Sequence, residues 1–181
     1  LADYLNADDT PDYLLGSGNG DDEKTANLPF GQQTSLYEEL TAQIAEHDLS
    51  DEQKRVMVYL IGSLDSDGFL RKDSQRLSDE MGIYHNINVS PQEIDKLVSV
   101  MQTVEPRGIG ARNLQECLKI QILAEDNKSP YKELELQVIE KCYKDFTRKR
   151  WDAIARRLHV DTETMDKVMS EIRHLNPRPG S

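Results

Sequence analysis

"SPQEIDKLVSVMQTVEPRGIGARNLQECL", residues 90–118, decides the fold. Ser90, Pro91 and Glu93 make a helix start: a hydroxyl to cap, a proline at the first helical position and a carboxylate to close the box. Ile94, Leu97, Val98 and Met101 follow at i, i+3, i+4 and i+7, the apolar face of an α-helix. Pro106 ends that helix, because it has no N–H to give and its ring clashes with a continuing turn. Gly108 and Gly110 bracket Ile109, and Asn113 with Glu116 at its third position opens the next helix. Residues 105–112 must therefore reverse or offset the chain in very little length. The two glycines supply positive φ or close backbone approach there, or else serve as flexible spacer.

A near-echo, "HLNPRPG", occupies residues 174–180. At a spacing of 71, Val160 falls on Val89, Asp166 on Asp95, Lys167 on Lys96, Ser170 on Ser99, Pro177 on Pro106 and Arg178 on Arg107. Met165, Val168, Met169 and Ile172 carry the apolar face over, and Asp161 caps where Ser90 does. At a spacing of 77, Ile154, Leu158 and Val160 match Leu77, Met81 and Ile83, which leaves a six-residue insertion, "YHNINV", in the first copy. Each copy is a helix, a turn and a helix closed by a Pro-Arg exit.

Working outward, Ser35 and Glu38 make a capping box before a helix carrying Leu36, Leu40 and Ile44. Ser50 and Gln53 repeat the device before Val56, Met57, Leu60, Ile61 and Leu64. "LDSDGFL" at 64–70 is a polar turn with Gly68 at its positive-φ position. Asp65, Asp67 and Gly68 look faintly like a calcium loop, but the later ligands and closing Glu are missing. A short helix covers 73–82, and further helices cover 130–146, 151–158 and 162–175. No stretch alternates as a strand does. The expected fold is all-α: two packed helical subdomains with helix-turn-helix-like units, residues 31–105 and 106–181.

Residues 1–30 stand apart. They hold seven acids and one lysine, and "GSGNGDDEK" at 16–24 combines glycines with like charge, the composition of a flexible acidic linker. Asp3-Tyr4-Leu5 and Asp12-Tyr13-Leu14 within it are either adhesive elements for a partner or residual apolar content. The first residue is not Met, which suggests a piece cut from something longer.

The whole chain has 181 residues and a net charge of −11, a surface that repels phosphate. No window approaches the ~18 apolar residues of a membrane span. "LADYLNADDT" lacks a basic start and an apolar core, so no secretory signal is expected. Cys117 and Cys142 lack C-x-x-C spacing, and His47, His85, His159 and His174 stand one at a time, so no metal site is legible. Both cysteines suit small buried side chains in a reducing, cytoplasmic setting. No phosphate loop, partnered nucleophile or H-E-x-x-H motif occurs, so neither enzyme chemistry nor a cofactor is expected.

Arg148, Lys149, Arg150, Arg156 and Arg157 form a basic stripe, opposed by Asp152. It is a solvated face, a contact for an acidic protein surface, or a track for passing DNA backbone. Trp151 within it keeps step with Ile154, Ala155 and Leu158, which places it in a core. A stand-alone helix-turn-helix DNA regulator is the alternative function. The would-be recognition helix argues against it: Asp161, Glu163, Asp166 and Glu171 face only Lys167 and Arg173, an unfavourable charge for a major groove.

"VEPRGIGARNLQECLKIQI" with the closing "LNPRPG" resembles the core-polymerase-binding region of sigma-54-class bacterial transcription factors. The matching residues are Gly108, Gly110, Ala111, Arg112, Leu114, Glu116, Cys117 and Leu118, and the "DSDGFL" turn and acidic leader fall in the family's order. The resemblance implies a non-catalytic domain that docks on the β and β′ subunits of core RNA polymerase and needs no membrane. The complete factor would recognise −24/−12 promoters and await an ATP-driven activator. The sequence here lacks the family's glutamine-rich activator segment and its basic promoter-reading module. Promoter DNA is therefore a partner of the full-length factor, with weak or no binding by this chain, which is expected to be monomeric. The expected hinge and docking signature is Pro106, Arg107, Gly108, Ile109, Gly110, Ala111, Arg112, Leu114, Pro177, Arg178 and Gly180.

Overall fold

The computed structural model describes residues 30–181, with side chains from Ser35 onward. The expectations for residues 1–29 lie outside the described residues. Nine helices are present among the described residues: α1 (Phe30–Ala45), α2 (Asp51–Gly62), α3 (Ser74–Tyr84), α4 (Pro91–Met101), α5 (Leu114–Ile122), α6 (Lys132–Lys141), α7 (Tyr143–Thr147), α8 (Trp151–Leu158) and α9 (Thr162–Arg173). No strand occurs among them, so the all-α expectation holds.

The caps explain most of the boundaries. Ser50 accepts the Gln53 N–H while the Gln53 side chain accepts the Ser50 N–H, a complete capping box. Asp73, Ser90, Asn113 and Asp161 each accept the N–H three residues on and thereby start α3, α4, α5 and α9. At Ser90 only this half of the expected box forms. At Asn113 the reciprocal carboxylate, Glu116, takes a hydrogen bond from the Gln102 amide instead.

Two sequence expectations fail. Ser35 does not start α1, which begins at Phe30; Ser35 and Glu38 are exposed residues of a helix already under way. A Ser-x-x-Glu pattern fits a solvent face as well as a cap, and Pro29 directly before Phe30 was the better start signal. The helix expected over 130–146 is two helices, broken at Cys142, whose backbone opens to φ −120° and ψ 22°. Val138, Ile139, Cys142 and Phe146 all remain buried across the break. The apolar period therefore passes through it unchanged.

Two cores form. Leu40, Met57, Leu60, Leu77, Ile94, Met101 and Ile109 belong to the first; Leu118, Val138, Phe146, Trp151, Ile154, Met165 and Ile172 belong to the second. Phe69, Ala111 and Cys117 make a small third cluster between them. The repeat is real in space: α4 packs on α3 and α9 on α8. The faces Ile94, Leu97, Val98, Met101 and Met165, Val168, Met169, Ile172 are all buried.

The turns of the two copies are built alike. His159 (φ 57°) lets Val160 N–H reach Ala155 O, and Asn86 (φ 54°) lets Ile87 N–H reach Met81 O. One expected match fails: Ile83, aligned with Val160, is 72% exposed, and Ile87 is the buried residue of the turn. The insertion extends α3 to Tyr84 before the chain turns, which shifts the register. Asp65 is a turn residue, its Oδ1 accepting the Asp67 and Phe69 N–H groups and its Oδ2 the Arg71 Nε–H. Among the described residues no helix is long and apolar enough to cross a membrane.

Candidate docking site where the halves meet

Three loops converge between the two cores: the 65–71 turn, the 105–113 segment and the closing 176–181 segment. Gly110 N–H donates to Gly68 O at 2.9 Å and Leu70 N–H to Ala111 O at 2.9 Å, which joins the first loop to the second. Gly180 N–H donates to Asp67 O at 2.9 Å, which joins the first to the third. A Cβ on Gly180 would stand 2.5 Å from Gly68 N, so the backbones touch where a side chain has no room.

Gly108 carries the same constraint at the other side. Its φ is +103°, and a Cβ would meet Cys117 Sγ at 2.7 Å, Gln121 Nε2 at 3.3 Å and Pro179 Cγ at 3.3 Å. The Cys117 thiol beneath it is fully buried, and that burial pushes its pKa up to about 11. It is a packing group and not a reactive one.

Both Pro-Arg exits are held in the same way. In the first, Gln43 of α1 accepts the Glu105 N–H at 2.8 Å and donates to the Glu105 carbonyl. In the second, Gln121 of α5 accepts the Asn176 N–H at 2.7 Å and donates to the Asn176 carbonyl at 2.6 Å. Glu105 and Asn176 are the residues immediately before the two prolines, and they occupy the same place in the repeat. One amide thus satisfies both backbone groups of each pre-proline residue, a pair that the extended geometry there leaves without helical partners. These two glutamines were not found from the sequence.

Arg112 closes the joint. Its guanidinium donates to Leu70 O, Lys72 O and Ser74 Oγ, and lies 3.9 Å from the Asp95 carboxylate. Arg107 pairs with Glu105 at 3.3 Å, and Arg178 lies 4.0 Å from Asp67. Of the expected signature, Gly108, Ile109, Gly110 and Ala111 are buried and face the joint. Pro106, Arg107, Arg112, Leu114, Pro177, Arg178 and Gly180 are half-buried around it. Outside them a groove of about 780 Å³ runs between α1 and the exits, lined by Leu36, Glu39, Gln43, Pro106, Pro179 and Ser181 among others.

The basic stripe belongs to a different place, the α7–α8 turn and α8. Arg148, Arg150, Arg156 and Arg157 are exposed, and Lys149 is half-buried with φ 60°. Trp151 is buried against Phe146, as its apolar spacing requires.

Comparison with known proteins agrees with this arrangement. The family described as "Sigma-54 factor, core binding domain" matches residues 28–181. The RNA polymerase sigma-54 factor of Bacillus subtilis (strain 168) is 30% identical over 175 residues, covering 95% of this chain and 38% of that protein. That of Pseudomonas aeruginosa (strain UCBPP-PA14) is 28% identical over 163 residues, covering 90% of this chain and 32% of that protein. The chain thus spans 38% or less of the length of these curated relatives. Its fold, its repeated Pro-Arg exits and the match over residues 28–181 lead to one conclusion: this chain belongs to the sigma-54 factor core binding domain family.

Proposed function

We propose that this chain is the part of a sigma-54-class factor that docks on core RNA polymerase, through the β and β′ subunits, and so serves DNA-templated transcription initiation in the bacterial cytoplasm. The observation that carries the reading is the match to a core binding domain over residues 28–181. On this reading the chain is a monomeric scaffold without enzymatic activity. It works as two helical halves, residues 31–105 and 106–181, after an acidic linker at 1–30. The joint signature from Pro106 to Leu114, with Pro177, Arg178 and Gly180, sets the halves relative to each other. That geometry, more than any single outward side chain, gives polymerase a rigid surface. The full-length factor would read −24/−12 promoters and depend on an ATP-driven activator.

Purified core polymerase mixed with the chain should co-elute with it, and full-length sigma-54 factor should displace it. Failure to co-elute at micromolar concentrations would end the reading. The alternative, a stand-alone DNA regulator, is disfavoured by α9, where Asp161, Glu163, Asp166 and Glu171 outnumber Lys167 and Arg173. Sequence-selective duplex binding at physiological salt would favour it instead.

A further inference from the structure

Trp151 is the sole tryptophan and is 8% exposed, yet its indole Nε1 has no hydrogen-bond partner. A buried donor without an acceptor is an unusual state that a ligand relieves. Trp151 also lines a groove of about 230 Å³ between α8 and α9, with Met165, Met169, Asp152, Asp166 and Arg173. Past Ala155 and Thr162, which line both, the groove opens into a hollow of about 800 Å³ beside Arg156 and His159. One end is apolar with a spare N–H; the other is cationic and continues into the exposed Arg148, Arg150 and Arg157.

We propose that this groove receives the chain's own acidic leader, residues 3–14, through an Asp-Tyr-Leu unit, and that the leader thereby covers the basic stripe. The chemistry of the two partners is complementary. Residues 1–14 contain Asp3, Asp8, Asp9 and Asp12 and no basic residue. The adjacent tyrosine and leucine, Tyr4-Leu5 or Tyr13-Leu14, suit a floor of two methionines and an indole. A backbone carbonyl of the extended segment takes the Trp151 N–H. Asp152 and Asp166 repel a carboxylate at the apolar end but accept a tyrosine hydroxyl, which directs the leader's aspartates to the arginine end. Reach is no obstacle: the chain from Leu14 to Phe30 extends to about 50 Å, against a radius of gyration of about 15 Å for a folded unit of this size. Tethering supplies an effective concentration of about a millimolar, so a contact that is weak in solution is populated here.

Because Trp151 is the only tryptophan, its emission reads the groove directly in the full chain. Replacing Tyr4, Leu5, Tyr13 and Leu14 by Ala leaves every described core contact untouched. It should raise acrylamide quenching of Trp151 by about twofold as the occupied fraction falls. Raising salt from roughly 0.05 to roughly 0.5 M should do the same to the wild-type chain by screening the aspartate–arginine contacts. R156E/R157E should also raise quenching, and adding D8K/D9K to that variant should restore the protected state. Quenching that is indifferent to the four alanines overturns the proposal. Protection that grows with protein concentration also overturns it, since the occupant is then a second copy.

Discussion

A methyl group added at Gly108 meets Cys117 Sγ, Gln121 Nε2 and Pro179 Cγ together, at a φ of +103° that side chains rarely adopt. Gly110, with φ +83°, would press a Cβ to 2.9 Å from Met101 Sδ in the first core. Gly108→Val and Gly110→Val should therefore each destabilise by about 1–3 kcal/mol in chemical denaturation. If the glycines were mere spacer, the valines would be neutral or slightly stabilising through the unfolded chain, so the sign decides.

A second residue is costly in its native form. Glu135 on α6 is 3% exposed, its Oε2 lacks a partner, and burial with Glu171 nearby raises its pKa to about 7. Its folded pKa lies above its unfolded one, so the folded state holds the extra proton between about pH 4.5 and about pH 7. Stability falls as pH rises across that window, and the full penalty remains above it. Glu135→Gln should thus stabilise the chain by about 1–2 kcal/mol near pH 8, with the gain fading by about pH 4.5. A gain of equal size at both pH values would show that charge is not the cause.

Helix starts were legible because each needs a particular side chain at a fixed offset, and Ser50, Asp73, Ser90, Asn113 and Asp161 all supply it. The positive φ at Gly68, Gly108 and Gly110 was legible for a similar reason, since glycine follows a stopped or turning helix. The two glutamine clasps were not. Gln43 reaches a backbone 62 residues away and Gln121 one 55 residues away, and no local pattern marks either amide. The break at Cys142 was invisible because it preserves the apolar phase. Only the echo of the Pro-Arg exits hinted that both needed the same support. Gln121→Ala removes both hydrogen bonds to Asn176 and should cost about 1–2 kcal/mol. Hydrogen exchange should locate that loss in residues 176–181, including the Gly180 amide, and leave α1–α4 unchanged. Uniform loss of protection across both halves would mean that the clasp supports the fold as a whole.

At the scale of the molecule, two cores are joined by loops whose contacts are mainly hydrogen bonds and close backbone approach. Cooperativity then depends on the joint, because each core has its own apolar contacts and only Phe69, Ala111 and Cys117 lie between them. Arg112 is the single side chain that ties the 105–113 loop to residues 70–74 and to Asp95 at once. Its exposure is only 26%, so removing it strands the Leu70 and Lys72 carbonyls in a poorly solvated place. Arg112→Ala should cost about 1–3 kcal/mol, the usual range for charge-assisted hydrogen bonds lost from a part-buried site. Its effect on cooperativity is the sharper expectation. Trp151 fluorescence reports the second core alone, whereas far-UV circular dichroism reports helices of both. In the wild-type chain the two transitions should coincide, as a two-state unit requires. In Arg112→Ala the midpoints should separate, and the affinity for core polymerase should fall, because the halves no longer hold one relative placement. If the variant unfolds at a lower midpoint with both probes still superimposed, Arg112 contributes stability but not coupling. The joint must then be transmitted by the backbone contacts of Gly68, Gly110 and Gly180 instead.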